Sequence, residues 1–330
     1  MARASEFDII ARHFAPLSRG APGAFDLTND AAVWRPTTGM DAVITSDCLV
    51  AGVHFLTADP PASIAAKLLA VNLSDLAAMG AAPVGYTLAA AWPAEIDDAW
   101  IEAFAEGLGR AQTVNGVVLF GGDTVSTPGP MTLTITAFGE AAAGRTLSRS
   151  GAEAGDDVYV TGTIGDAALG LRVLQGTLAP PSKEAAVYLA GRYREPTART
   201  KIGVGLAGLA TSAIDVSDGL AADLGHLAVG SGTRFDIQAE KVPLSPAVAA
   251  CLERKPALLE SVLGGGDDYE LAFTASPGRR AAMAHLAETA GVGITRIGSV
   301  EPAADDGPGV RFLDAAGADV TPKSPGFRHF

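Results

Sequence analysis

The chain has 330 residues, room for roughly two domains of about 150 residues each. Hydrophobic residues make up 48%, which supports a large buried core and excludes a disordered chain. A net charge of −13 argues against nucleic acid or an anionic membrane as partner, and no apolar run reaches the roughly 18 residues a transmembrane helix needs.

Residues 5–14 are spaced as a short amphipathic helix with Phe7, Ile10 and Phe14 on one side. A Gly/Pro-rich loop, Gly20 to Gly23, leads to Asp30, which precedes a short apolar segment and taken alone reads equally well as a turn residue. Val43-Ile44-Thr45-Ser46-Asp47 is an apolar run ending in two hydroxyls and a carboxylate, and His54-Phe55 follow within a short loop. Pro60-Pro61 introduces a helix over about 62–79, stopped by Gly80 and Pro83. On that helix Leu68, Asn72, Asp75 and Met79 share a stripe, so Asn72 and Asp75 need a partner, water, a metal or plain exposure.

A second helix is expected over about 98–113, with Trp100, Phe104 and Leu108 on its core face. The strand 116–120 stops at Gly121-Gly122-Asp123-Thr124, where the glycines allow either a tight turn or close approach of backbone to a ligand. Met131 to Phe138 alternates strictly, placing threonines on one face, as in an antiparallel or mixed sheet. That threonine face is open either to solvent or to a second subunit.

A small-residue stretch over 141–150 marks a boundary, giving domains 1–140 and 141–330. Beyond it, a strand near 157–161 follows a turn in which Asp156 and Asp157 read as structural. Helical patterns run over 165–174, 184–194, 199–210, 245–254 and 278–290, and strands over 213–216, 269–274, 294–300 and 309–313. Asp218 is placed as an N-cap for the helix carrying Leu220, Leu224 and Leu227, whereas Asp215 sits inside an apolar strand. The expected fold class is α/β (α+β): two domains with mixed sheets.

Five segments share one grammar, an apolar run or glycine turn closing on carboxylates: those of Asp47, Asp75, Asp123, Asp215/Asp218 and Asp267/Asp268. Carboxylate and hydroxyl oxygens without clustered His or Cys are a ligand set for Mg²⁺, and Mg²⁺ points to phosphate. Bound Mg²⁺ also reconciles an acidic chain with a polyanionic ligand. Cys48 and Cys251 lack CxxC spacing, which fits a reducing compartment without structural zinc. The polar N-terminal stretch has no signal-type apolar region, so a cytoplasmic setting is expected. Gly203-Val-Gly205-Leu-Ala-Gly208, with Asp223 downstream, matches the dinucleotide fingerprint by letter, but it falls within a helical pattern rather than after a strand. Walker A, kinase catalytic-loop and nucleophile-elbow motifs are absent from the sequence.

Thr45-Ser-Asp47 with His54-Phe55, Asn72-Leu-Ser-Asp75-Leu-Ala-Ala-Met-Gly80, Gly121-Gly-Asp123-Thr124, Arg149-Ser-Gly151, Ile214-Asp-Val-Ser-Asp218-Gly219 and Gly326-Phe-Arg-His-Phe330 together resemble the thiamine-monophosphate kinase family. The resemblance spans the chain in order. It implies an N-terminal domain that dimerises through its sheet, a C-terminal α/β domain and an active site between them. Carried over by motif, Asp30, Thr45, Ser46, Asp47, Asp75, Asp123 and Asp215 would be Mg²⁺ ligands, and Asp218 would hold a further ion. Asp47, Asp123 and Asp215 would be the carboxylates on which catalysis depends. Gly122, Asp123, Arg149 and Ser217 would contact ATP, and His54, Asp267 and Phe327 thiamine monophosphate. Thr28-Asn29, Ala105, Asp267 and Phe327 depart from the usual family pattern, Ala105 replacing a tyrosine near the adenine.

The implied reaction is transfer of the ATP γ-phosphoryl to thiamine monophosphate. A relative of the same superfamily acting on another acceptor, a non-catalytic Mg²⁺–nucleotide-binding regulator and a Mg²⁺-dependent phosphatase are the alternatives.

Overall fold

The computed structural model describes residues 5–305 and 307–327; the last three residues of the Gly326–Phe330 motif therefore lie outside the described residues. Clustering of the chain gives two units, Met1–Leu76 with Ala81–Gly144, and Ala77–Gly80 with Arg145–Phe330.

In the first unit a short helix α1 (Glu6–Ile9) precedes strand β1 (Met40–Val50), helix α2 (Pro61–Ala78), strand β2 (Ala82–Pro93), helix α3 (Asp98–Asn115) and strands β3 (Val118–Thr127) and β4 (Thr132–Ala142). The strands form one mixed sheet in the order β1-β4-β2-β3, antiparallel except for the β2–β3 pair. That parallel pair needs a long crossover, and α3 supplies it. Asp97 caps α3, accepting from the Trp100 N–H, and Gly116 in left-handed backbone ends it. Phe104 and Leu108 are fully buried, as their spacing predicts. Buried Leu133, Ile135 and Ala137 alternate with half-exposed threonines on β4, so one face of the sheet carries the core and the other stays open.

Three sequence readings change here. Ile9, not Phe7, is the buried anchor of the first helix: Phe7 is 79% exposed, and the chain from Ile10 to Phe14 widens into a π-turn that shifts the apolar stripe. The strand expected to stop at Phe120 runs on to Thr127, so Gly121 and Gly122 lie inside a paired strand rather than in a turn. β2 carries no sequence signal, because Pro83, Gly85 and Ala89-Ala90-Ala91 have low strand propensity, yet pairing on both sides makes it a strand.

The second unit contains β5 (Asp157–Thr161), α4 (Asp166–Leu174), α5 (Lys183–Arg194), α6 (Thr200–Leu206), β6 (Ser212–Asp215), α7 (Leu220–Ser231), β7 (Thr233–Gln238), α8 (Pro246–Arg254), α9 (Leu259–Gly264), β8 (Leu271–Ala275), α10 (Arg280–Ala290), β9 (Ile294–Pro302) and β10 (Gly309–Leu313). Its six strands are ordered β10-β7-β9-β5-β8-β6, with only β10–β7 parallel. β7 and α9 were not legible in the sequence. The fingerprint-like Gly203 lies in α6, where a Cβ would sit 2.1 Å from the Ala77 carbonyl oxygen; packing, not a nucleotide, explains that glycine. Asp156 and Asp157 are structural as expected: Asp156 accepts from Thr211, and Asp157, 2% exposed, accepts from Arg280 and Arg296.

The Arg280 hydrogen bond, reinforced by Arg296, holds the Asp157 carboxyl below the usual range against the opposing effect of burial. Its stabilisation is therefore full above the ordinary carboxylate pKa and is lost as pH falls through the lowered value. Asp157→Asn is expected to cost about 2 kcal/mol at pH 7, less than a fully buried pair because both arginines reach solvent. Denaturant titration checks this: the gap to the parent should close at strongly acidic pH.

Candidate functional site

In the first unit the acidic groups sit on β1, α2 and β3. Thr45 and Asp47 point to the helix-bearing face of the sheet, in line with Ala137 and Ile135, whereas Ser46 points to the open face. There the Ser46 hydroxyl bonds the Ile135 carbonyl and meets Thr136 Oγ1, each at 3.1 Å. The Thr45 hydroxyl donates to Asp75 Oδ2 at 2.5 Å, tying β1 to α2. Asn72 is fully buried: its Oδ1 accepts the Asp47 N–H at 3.0 Å and its Nδ2 donates to the Leu68 carbonyl. The polar interruption of α2 is thus satisfied by backbone on one member and by a hydroxyl on the other.

His54 occupies a turn after β1. Its Nδ1 accepts the Val50 N–H at 2.9 Å, so a neutral ring carries its proton on Nε2. The same turn is held by Lys67, 1% exposed on α2, whose ammonium donates to the His54 carbonyl at 3.0 Å.

On β3 the register slips by one at Phe120, which bulges. Asp123 consequently lies opposite Ala89 on the open face, and Gly122 opposite Leu88 on the other. A Cβ at Gly122 would fall 1.8 Å from the Leu88 carbonyl oxygen, so the strand approach admits only glycine. Asp30, Gly122 and Asp123 line one cavity of about 490 Å³, walled by Phe14, Trp34 and Phe138 among others. Asp30 and Asp123 are both exposed. Asp47 and Asp123, by contrast, sit on the two edge strands and on opposite faces, about 14 Å apart across the sheet.

In the second unit five predicted residues meet. β6 ends in Asp215, 3% exposed, and the chain then runs past Ser217 and Asp218 into α7. Backbone bonds tie this run to two other segments: Asp267 N to Ser217 O at 2.9 Å, and Phe327 N to Asp218 O at 3.0 Å. Gly266 lets the two connecting segments close on each other, since a Cβ there would lie 2.2 Å from the Ser217 carbonyl oxygen. Phe327 is 49% exposed. Arg149 stands apart: its carbonyl neighbours Gly230 in the last turn of α7, about 16 Å along that helix from Gly219.

Asp218 is not the N-cap the sequence suggested. Gly219 takes that position, and the Asp218 and Gly219 N–H groups both donate to Asp223 Oδ2 at 3.1 Å. Asp223 is 2% exposed, and burial, then the charges of Asp215 and Asp218, push its carboxyl well above the usual range. Asp218, Asp223 and His226 present ligand atoms within 4.8 Å of one another. Neither Asp223 nor His226 was singled out as a site residue. The signal was present: a charged residue in the first apolar turn of a helix, with a histidine one turn on.

Oxygen donors dominate both units, a hard-ligand set that fits Mg²⁺. Residues 28–141 match the AIR synthase related protein N-terminal domain family, and residues 153–310 its C-terminal domain family. A thiamine-monophosphate kinase of Caulobacter vibrioides is 43% identical over 98% of this chain and 91% of its own length. The chain belongs to the thiamine-monophosphate kinase family. The crystal structure of thiamine-monophosphate kinase from Stenotrophomonas maltophilia K279a shares 40% identity with a TM-score of 0.81, covering 94% of this chain and 96% of that one. AaThiL complexed with AMPPCP and TMP shares 31% identity with a TM-score of 0.77, over 98% and 97% of the two chains. These likenesses bear out the resemblance read from the motifs.

Asn72→Ala is expected to leave the Asp47 N–H without its acceptor and to cost about 1–2 kcal/mol. The urea midpoint of the variant measures it, and an unchanged midpoint would show that water replaces the amide.

Proposed function

We infer that the chain catalyses ATP-dependent phosphorylation of thiamine monophosphate, giving thiamine diphosphate and ADP. The observation carrying this reading is whole-chain similarity to thiamine-monophosphate kinases, with a relative at 31% identity bound to an ATP analogue and TMP. An oxygen of the acceptor phosphate forms a bond to the γ-phosphorus as the bond from that phosphorus to the β–γ bridging oxygen breaks, and ADP leaves with that electron pair. The acceptor is a phosphate monoester with a second pKa near 6, so at neutral pH it is already mostly ionised and needs no general base.

Repulsion between the two anions is the main obstacle: each pair of unit charges about 4 Å apart costs about 4 kcal/mol at an effective dielectric of about 20. Several Mg²⁺ ions, held by Asp30 and Asp123, by Thr45, Asp47 and Asp75, and by Asp215 and Asp218, would neutralise that charge. Ser46 is assigned to the same set, although its hydroxyl meets the Ile135 carbonyl and Thr136 Oγ1 on the open face. Gly122, Asp123, Arg149 and Ser217 are assigned to the nucleotide. His54 donates from Nε2 to the acceptor, Asp267 hydrogen-bonds it, and Phe327 supplies a stacking face for a cationic ring.

The reading includes a homodimer formed through the open sheet face, supported by Ile44, 61% exposed beside the half-exposed threonines of β4. It also includes a cytoplasmic setting, supported by two free cysteines. Among the described residues no helix is long and apolar enough to cross a membrane.

Chromatography of products from Mg-ATP and thiamine monophosphate is expected to show equal thiamine diphosphate and ADP, and none with thiamine as acceptor. ADP without thiamine diphosphate would indicate another acceptor or a phosphatase, and bound nucleotide without ADP a regulator. Asp47→Asn and Asp123→Asn are each expected to lower kcat at least about a hundredfold with little loss of fold; activity retained in both rejects the carboxylate assignment. His54→Ala is expected to raise KM for thiamine monophosphate by about tenfold and leave KM for ATP within about twofold.

A further inference from the structure

Asp267 and Tyr269 both hold left-handed backbone, with φ of 72° and 50°. An aspartate visits that region at a cost, and a tyrosine rarely does. Such strain persists only where the surroundings over-determine it. Asp268, between them, is 1% exposed, and its carboxylate accepts the Gly165 N–H at 2.6 Å and the Ala167 N–H at 3.1 Å, where α4 begins. Just beyond, Glu270 is fully buried and clamped by Arg199 through both its oxygens, by Arg192 at 3.0 Å and by Thr161 Oγ1 at 2.7 Å. The main chain is pinned as well, Asp267 N to Ser217 O and Tyr269 N to Val216 O. Tyr269 is 8% exposed, and its hydroxyl lies 3.3 Å from Asp267 Oδ1. β8 begins at Leu271, just after these residues.

We propose that Asp268 and Tyr269 are positioning residues for the acceptor end of the site. Asp268 fixes the backbone of Asp267 in its left-handed state beside Ser217, and the Tyr269 hydroxyl orients the Asp267 carboxylate. The proposal rests on the reading of Asp267 as a contact to thiamine monophosphate. Its mechanism is pre-organisation: a carboxylate already aimed loses less freedom when the substrate arrives.

The test uses the full chain with Asp268→Asn, Tyr269→Phe, Asp267→Ala and the Asp267→Ala/Asp268→Asn pair, with Asp157→Asn as a control for a buried carboxylate elsewhere. Asp268→Asn is expected to raise KM for thiamine monophosphate about tenfold and Tyr269→Phe about threefold, with KM for ATP within about twofold. The double variant should be no worse than Asp267→Ala alone, because both changes act through one carboxylate. Asp157→Asn should lower the thermal midpoint and leave both KM values unchanged. An unchanged acceptor KM in a folded Asp268→Asn, or full additivity in the pair, overturns the proposal. Should Asp268→Asn fail to fold, Tyr269→Phe decides, and an unchanged acceptor KM there overturns it. If the parent chain makes no thiamine diphosphate, it is the functional reading that fails. Positioning is then read from the crystal structure of Asp268→Asn or, if that does not fold, of Tyr269→Phe. In Asp268→Asn, departure of Asp267 from positive φ supports the proposal and retention of 72° overturns it. In Tyr269→Phe, a reoriented Asp267 carboxylate supports it and an unmoved one overturns it.

Discussion

A carboxylate withdrawn from water must be met by donors, and this requirement sorts the acidic residues of the chain. Asp157 is met by two arginines, Glu270 by two arginines and a threonine, Asp268 by the first N–H groups of a helix, and Asp223 by a pair of backbone N–H groups. Each has its protein donors in place. Asp30 and Asp123 stay in solvent instead, around a cavity, where an incoming cation can reach them. The acidic residues are thus divided between buried groups met by donors of the protein and groups left in solvent.

The sheet of the first unit shows how little it takes to aim one of these groups. Without the bulge at Phe120, continuing the register from Leu119 opposite Tyr86 would set Asp123 against Ala90, which is buried. The extra residue moves it opposite Ala89 and turns it outward. Glycine at the next position inward is the matching requirement, since the strands close to a distance that excludes a Cβ. Bulge and glycine together give an edge strand that turns Asp123 outward while its backbone still pairs.

Much of this was legible in the sequence wherever a period or a cap carried it. The helices of Phe104 and Leu227 and the threonine-faced strand follow from spacing. β2 was invisible because its residues are alanine, glycine and proline, and only its two neighbours make it a strand. The strand was expected to stop before the glycine pair because a bulge leaves no local mark. Asp218 looked like a cap because sequence shows which residue can cap but not which carboxylate arrives; Asp223, in the first turn of the helix itself, takes the N–H groups. Ser46 could not be told from Thr45 by type, and only strand alternation separates them.

Lys67 carries a consequence for the chemistry of the surface. Its ammonium is 1% exposed and lies against the His54 carbonyl, behind a helix whose neighbouring leucines Leu68 and Leu69 are fully buried. An acylating reagent or an acetyltransferase meets no nucleophile there while the fold stands. The turn that presents His54 is therefore insulated from lysine modification, and reagents that map accessible amines will pass over this one until the chain unfolds.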